Sequence, residues 1–324
     1  MDMKIAVVGT YPNGTFARFE KALAGCDKVE LLEAETQEKF DALEDADAII
    51  LRILKMPAET IARFPSLKLI MRWGAGYDSV DVKEAGKRKI AVCNTPGANA
   101  YCVAELTVLL MLAVGHKLAC HDRSLHAGVW SKNTFLNQTV TLNNKLVGIV
   151  GGGNIGRQVA ARVQAFGARV QYYDPFRLPE EMEKNLGMQY MELDELLSTS
   201  DVVTLHVPLM DSTRHMINAE RIAGMKDGAI LINAARGGLM DDIAVVEAVN
   251  SGKLAGAGID CVENEPALPG PPILENPNII VTPHVGGGAA DIADVIIPMI
   301  VGNLKALCEG KPLRYVVNQD DLKI

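Results

Sequence analysis

KLVGIVGGGNIGRQVAARVQAFGARVQYYD, residues 145–174, sets the architecture expected of this chain. It opens with an apolar run, Leu146–Val150, short enough to be a buried strand. Gly151, Gly153 and Gly156 follow in G-x-G-x-x-G spacing. Ile155, Val159, Val163 and Phe166 recur at helical spacing, and Gly167 can end that helix. Arg169–Tyr173 then reads as a second strand, closed by Asp174. Strand, glycine turn, helix, strand and terminal acid together form the context in which this spacing marks a dinucleotide site.

Each residue type has a physical task there. Gly151 permits the tight turn, Gly153 lets a pyrophosphate approach the backbone, and Gly156 lets the helix pack closely on the strand. The helix start offers free N–H groups and the positive end of its dipole to phosphate. Asp174 is suited to accept from both adenine-ribose hydroxyls and to repel a 2′-phosphate, which favours NAD over NADP. Arg177 lies close enough to leave some NADP tolerance open.

Working outward, 324 residues suggest two domains. A composition 48% hydrophobic and 22% charged is that of a soluble globular protein. The net charge of −8, without a basic block, argues against a nucleic-acid surface. Residues 1–4 run directly into a strand-like IAVVG, so no secretion signal is read, and the longest apolar stretch is too short for a bilayer. The expected location is the cytoplasm. Six scattered cysteines without a C-x-x-C pair fit reduced thiols, with Cys261 as a packing residue. His121 and His126 are five apart, not four, so no metal site is expected.

Short apolar runs alternate with helical ones along the whole chain. Strands are expected at 4–9, 29–32, 48–51, 67–71 and 90–93, and helices at 15–25, 38–43, 58–63 and 82–86. NTPGAN at 94–99 is a break, followed by one long helical run over 101–125. Beyond the glycine unit, strands are expected at 202–207, 229–233, 254–260 and 279–282, with a last helix over 289–308. The fold class is α/β: two doubly wound parallel-sheet domains, each covered on both faces by helices.

Arg236, Glu265 and His284 each fall just past the carboxyl end of an expected strand, where ligands bind in open α/β sheets. Reducing a 2-oxo acid needs a hydride, a proton for the developing alkoxide and an anchor for the carboxylate. A histidine can supply the proton, and a neighbouring carboxylate favours its charged form and raises its pKa. An arginine's planar fork can hold the carboxylate. In the first half, RWGAGYD at 72–78 exposes backbone amides that can hold a carboxylate.

These stretches, with NTPGANAYCVAELT, LHVPL, LINAARGGLMD, GAGIDCVENEP and VTPHVGG, resemble the D-isomer-specific 2-hydroxyacid dehydrogenase family over essentially the whole length. The resemblance implies Arg236, Glu265 and His284 as the catalytic trio and NAD as cofactor. It places Gly151, Gly153, Asn154, Ile155 and Gly156 at the pyrophosphate and Asp174 at the ribose. His206, Pro208 and Thr213 would lie near the adenine and its ribose. Ala234, Ala235, Arg236, Asp260, His284, Gly286 and Gly287 would lie toward the nicotinamide. Arg52, Trp73, Ala75 and Gly76, with Arg236 and His284, would meet the substrate, the first four from a flavodoxin-like substrate domain. That domain would comprise 1–98 plus 290–324, and the Rossmann NAD-binding domain 99–289. The usual assembly is a homodimer.

Leu54 occupies a place where relatives that bind phosphorylated substrates often carry a second arginine, which weighs against phosphoglycerate. A formate dehydrogenase of the same architecture pairs its histidine with glutamine, whereas Glu265 stands here. The alternative from another class is a non-catalytic NAD-sensing binding protein of the same fold.

Overall fold

The computed structural model describes residues 3–26, 29–267 and 269–322. They divide into two compact units, Met1–Asn99 with Gly288–Ile324, and Ala100–Gly287.

In the first unit, β1 (Met3–Val8), β2 (Val29–Ala34), β3 (Ala48–Leu51), β4 (Leu69–Arg72) and β5 (Ala91–Cys93) form a five-stranded sheet in the order β2-β1-β3-β4-β5. All its pairings are parallel. This is the flavodoxin-like order, with the switch point between β1 and β3. Residues 288–322 complete the unit. Asn318, buried against the sheet edge, accepts from the Val92 amide at 2.9 Å and donates to the Ile90 carbonyl at 2.9 Å. Asn303 brackets Arg314 in the same two-way fashion, at 2.7 and 2.8 Å.

The second unit carries β6 (Leu146–Val150), β7 (Arg169–Tyr173), β8 (Met188–Tyr190), β9 (Val202–Leu205), β10 (Ala229–Asn233), β11 (Leu254–Ile259) and β12 (Ile279–Val281). The order β12-β11-β10-β9-β6-β7-β8, all parallel, is that of a Rossmann sheet extended by one strand. Strands this apolar are stable only when both faces are covered. On one face Val159, Ala160 and Val163 of the helix Asn154–Ala165 pack with Val147, Ile149 and Tyr172. Each fully buried valine or isoleucine among them contributes roughly 1.5–3 kcal/mol relative to exposure.

Three expectations are corrected. The run over 101–125 is two helices, Ala100–Gly115 and Leu118–His126, bent by 64°. Lys117 sits at the bend with φ 53°, where its buried ammonium donates to the Ala255 carbonyl at 2.7 Å and Asn278 Oδ1 at 3.2 Å. Satisfying that charge requires the chain to leave the helix path. The last helix starts later than expected, at Ala293–Cys308, after a 3₁₀ turn. Strand β8 was not anticipated at all. Among the described residues, no single helix is long and apolar enough to cross a membrane.

Candidate active site

The glycine turn has the shape a dinucleotide needs. Gly151 has φ 112°, and a Cβ there would lie 2.6 Å from the His206 carbonyl oxygen. A Cβ on Gly156 would lie 2.0 Å from the Gly151 oxygen, so the helix approaches as closely as it does only because the residue is glycine. A Cβ on Gly153 would meet nothing within 4 Å, so the backbone there is open to a ligand. The helix Asn154–Ala165 has no side-chain cap at its N-terminus, which leaves the first amides, from Asn154 and Ile155 onward, for an anion.

Asp174 stands at the end of β7 and bridges two loops. Its Oδ2 accepts from the Gly152 amide at 2.8 Å and its Oδ1 from the Phe176 amide at 2.9 Å. Arg177, three residues on, is held by Glu183 through Nε at 2.8 Å and Nη2 at 3.0 Å, with its guanidinium 4.9 Å over the Tyr190 ring. Just past β9, His206 meets Thr204 Oγ1 through Nε2 at 2.9 Å. Its Nδ1 is buried with no partner among the described residues. Burial pushes this imidazole down to about 3, so it is neutral at physiological pH. Thr213 Oγ1 donates to the Pro208 carbonyl at 2.7 Å and closes the turn beyond it. An open glycine turn, an uncapped helix start and an orphaned ring nitrogen fit a dinucleotide.

The polar trio of the second unit lies at the carboxyl ends of β10, β11 and β12. Buried Asn233 turns the chain after β10 by donating to the Arg236 carbonyl at 2.8 Å and accepting from the Ala235 amide at 3.1 Å. Ala234 is buried on the way, and Arg236 Nη1 donates to the Ala235 carbonyl at 2.7 Å. Asp260, buried just past β11, organises the loop after β12. It accepts from Thr282 Oγ1 at 2.6 Å and from the amides of Val285 at 2.9 Å and Gly286 at 2.8 Å. A Cβ on Gly286 would press on that carboxylate at 2.8 Å. The loop leaves His284 at φ 52°, a left-handed conformation uncommon outside glycine and a mark of an over-determined site. Gly287 follows as the last residue of the unit. His284 Nδ1 meets Glu265 Oε2 at 2.8 Å. The structure therefore brings Glu265 and His284 into direct contact.

Cys261 lies beside this pair, buried, with Sγ 3.4 Å from the Ala235 carbonyl oxygen. Burial, with the nearby Asp260 and Glu265 carboxylates, pushes its thiol up. Sequence reasoning missed a neighbouring group: His215 Nε2 meets Glu263 Oε1 at 2.9 Å, with Arg214 at 3.6 Å. Half-buried Asp242 has an Oδ1 without a partner among the described residues. Burial first, then the charges of Glu263 and Asp241, push Asp242 up to about 6.

In the first unit the loop after β4 is held from behind. The Gly74 amide donates to Thr95 Oγ1 at 2.9 Å, and the Gly74 carbonyl accepts from the Thr95 amide at 3.1 Å. The Ala75 carbonyl accepts from Asn94 Nδ2 at 2.7 Å and that of Gly76 from Arg72 Nε at 3.1 Å. Among the described residues no acceptor meets the amides of Ala75 and Gly76, which leaves them for an anion. Asn94 and Thr95, read from sequence only as part of a break, are thus fasteners of this loop. Trp73 is 6% exposed, edge-on to Tyr11 at 5.0 Å and Phe19 at 6.3 Å. Ile53 is exposed next to Arg52, whose guanidinium bonds the Thr10 carbonyl.

Comparison with known proteins agrees with this geometry. The profile of the D-isomer specific 2-hydroxyacid dehydrogenase NAD binding domain matches residues 108–286. A hydroxypyruvate reductase of Thermotoga maritima is 42% identical over 260 residues, covering 79% of this chain and 83% of its own. A glyoxylate reductase of Korarchaeum cryptofilum is 37% identical over 289 residues, covering 88% and 86%. The solved glyoxylate reductase of Paecilomyes thermophila superposes with a TM-score of 0.86 at 32% identity, covering 98% of this chain and 99% of its own. A Rossmann unit and a second parallel α/β unit, with NAD as cofactor, define a nicotinamide-dependent oxidoreductase. The chain belongs to the D-isomer-specific 2-hydroxyacid dehydrogenase family.

Proposed function

We propose that this protein reduces a small 2-oxo acid to the D-2-hydroxy acid with NADH, and that His284, Glu265 and Arg236 are its catalytic residues. The observation that carries this reading is the 2.8 Å contact between His284 Nδ1 and Glu265 Oε2 at the carboxyl edge of the NAD-binding sheet. With Glu265 accepting at Nδ1, the imidazole is fixed in ring orientation and tautomer, and Nε2 is the nitrogen left to exchange a proton with the substrate oxygen. Bound NADH supplies the hydride. Arg236 offers a planar donor fork for the carboxylate. In the other unit, which we assign as the substrate domain, the free amides of Ala75 and Gly76 suit a carboxylate, and Arg52 and Ile53 belong to a neighbouring loop of the same unit.

The names of the relatives support glyoxylate and hydroxypyruvate as first substrates. A homodimer through the NAD-binding unit is part of the proposal. Its support is a run of exposed apolar side chains, Leu109, Leu118, Leu125, Val129, Trp130 and Leu136, with Trp130 78% exposed. The six free thiols support a reducing compartment, the cytoplasm. NADH oxidation against glyoxylate, hydroxypyruvate, pyruvate, phenylpyruvate, 2-oxoisocaproate and phosphohydroxypyruvate tests the reading. Enzyme-like turnover on one or two of the small acids is expected, and silence across the panel with NADH bound would overturn it.

A further inference from the structure

We propose that Cys261, Glu265 and His284 form a site for a borderline divalent ion of the zinc class, and that occupancy switches the reaction off. One sulfur, one carboxylate oxygen and one imidazole nitrogen, all within 4.8 Å of one another, come from the loops after β11 and β12. Metal–ligand distances of about 2.0–2.3 Å in a tetrahedron place ligand atoms roughly 3.3–3.8 Å apart. Glu265 and His284 are both exposed and can rotate to reach that spacing against the sulfur of buried Cys261. Mixed thiolate, imidazole and carboxylate donors select zinc or cobalt over magnesium or calcium, which take oxygen ligands. The buried carboxylate of Asp260 adds negative charge beside the sulfur, which favours a dication.

Binding balances simply. The thiol proton leaves to solvent, the Glu265–His284 hydrogen bond gives way to two coordinate bonds, and no electrons move. Three protein ligands leave a fourth position for water or for the substrate's carboxylate. With His284 coordinated, proton transfer to the substrate stops. That last consequence rests on the proposed role of His284, whereas the binding itself does not.

The experiment is cobalt and zinc titration of the full chain in a Cys26→Ser/Cys308→Ser background, which removes the exposed thiol and its neighbour. One equivalent of Co²⁺ is expected to give a near-ultraviolet thiolate-to-cobalt charge-transfer band that Zn²⁺ bleaches. Cys261→Ser is expected to lose the band and to weaken zinc binding by calorimetry at least tenfold, with metal-free turnover within twofold of the parent. Cys261→Ala serves the same purpose if the serine variant folds poorly. Absence of the band in the parent, or its persistence in either variant, would overturn the site. Stoichiometric zinc binding that left turnover intact would instead overturn the role given to His284.

Discussion

Arg177 and Glu183 face each other as a two-toothed pair, Nε to Oε1 at 2.8 Å and Nη2 to Oε2 at 3.0 Å. Tyr172 adds a third donor to the same carboxylate at 2.6 Å. The guanidinium first, then the tyrosine hydroxyl, hold Glu183 down to about 2. Its folded-state value lies below the unfolded one of 4.5, so its contribution to stability is complete above about 4.5 and lost as pH falls through 2. Glu183→Gln is expected to lower the melting temperature at pH 7, with the deficit shrinking between pH 4.5 and 2. A pH series of thermal melts measures this, and a deficit independent of pH would refute the linkage.

The same pair bears on cofactor choice. Asp174→Ala is expected to narrow the preference for NADH over NADPH by removing the carboxylate beside the glycine turn. The narrowing should be modest while Glu183 keeps Arg177 engaged, and larger in Asp174→Ala/Glu183→Gln, where Arg177 can turn to a 2′-phosphate. The ratio of kcat/KM for the two cofactors reads both steps, and identical ratios in parent and variants would remove Asp174 from the ribose site.

His284→Ala is expected to lower kcat by about 10²–10⁴, the usual contribution of a positioned acid/base, while the Kd for NADH stays within a few fold. Single-turnover kinetics and fluorescence titration separate the two quantities. Near-parental turnover would mean that another group moves the proton.

Asp242 behaves in the opposite sense to Glu183. Its value of about 6 lies above the unfolded 3.8, so the folded state loses stability as pH rises from 3.8 through 6. Asp242→Asn is expected to stabilise the protein above pH 6, by about 1 kcal/mol after allowing for solvent screening. It should change nothing below pH 3.8. Equal melting shifts at pH 3.5 and 7.5 would contradict this account.

Trp130→Glu places a charge in the exposed apolar run of the NAD-binding unit. It is expected to convert a dimer into a monomer in light scattering on a sizing column, with the circular dichroism unchanged. A parent protein that is already monomeric would remove the proposed assembly.

Local information was enough where short-range physics decides. Leu146–Val150 is a contiguous apolar run that ends at a glycine, and Arg169–Tyr173 combines valine and two tyrosines before an acid; both form strands over those residues. Met188–Tyr190 is only three residues with a polar centre, so β8 owes its pairing to β7 rather than to its own pattern. Lys117 is a good helix former, and the carbonyl that draws it out of the helix belongs to Ala255, 138 positions away. Trp73 reads as apolar in any register, but only Tyr11 and Phe19 determine that its ring turns inward. The Glu265–His284 contact spans 19 residues and depends on Asp260 shaping the loop after β12. Placement at strand ends made both residues candidates, and only the folded loops show that their side chains meet.

The two-way bonding of Asn318 to β5 has a consequence for biosynthesis. The NAD-binding unit is one uninterrupted segment, 100–287, so it can fold while the chain is still being translated. The other unit emerges first from the ribosome yet lacks its edge and its helix Ala293–Cys308 until residues 288–322 arrive. The strands of this unit, made before the NAD-binding unit, therefore wait until after it is made, with the open edge of β5 exposed to chaperones and to other nascent chains in the interval.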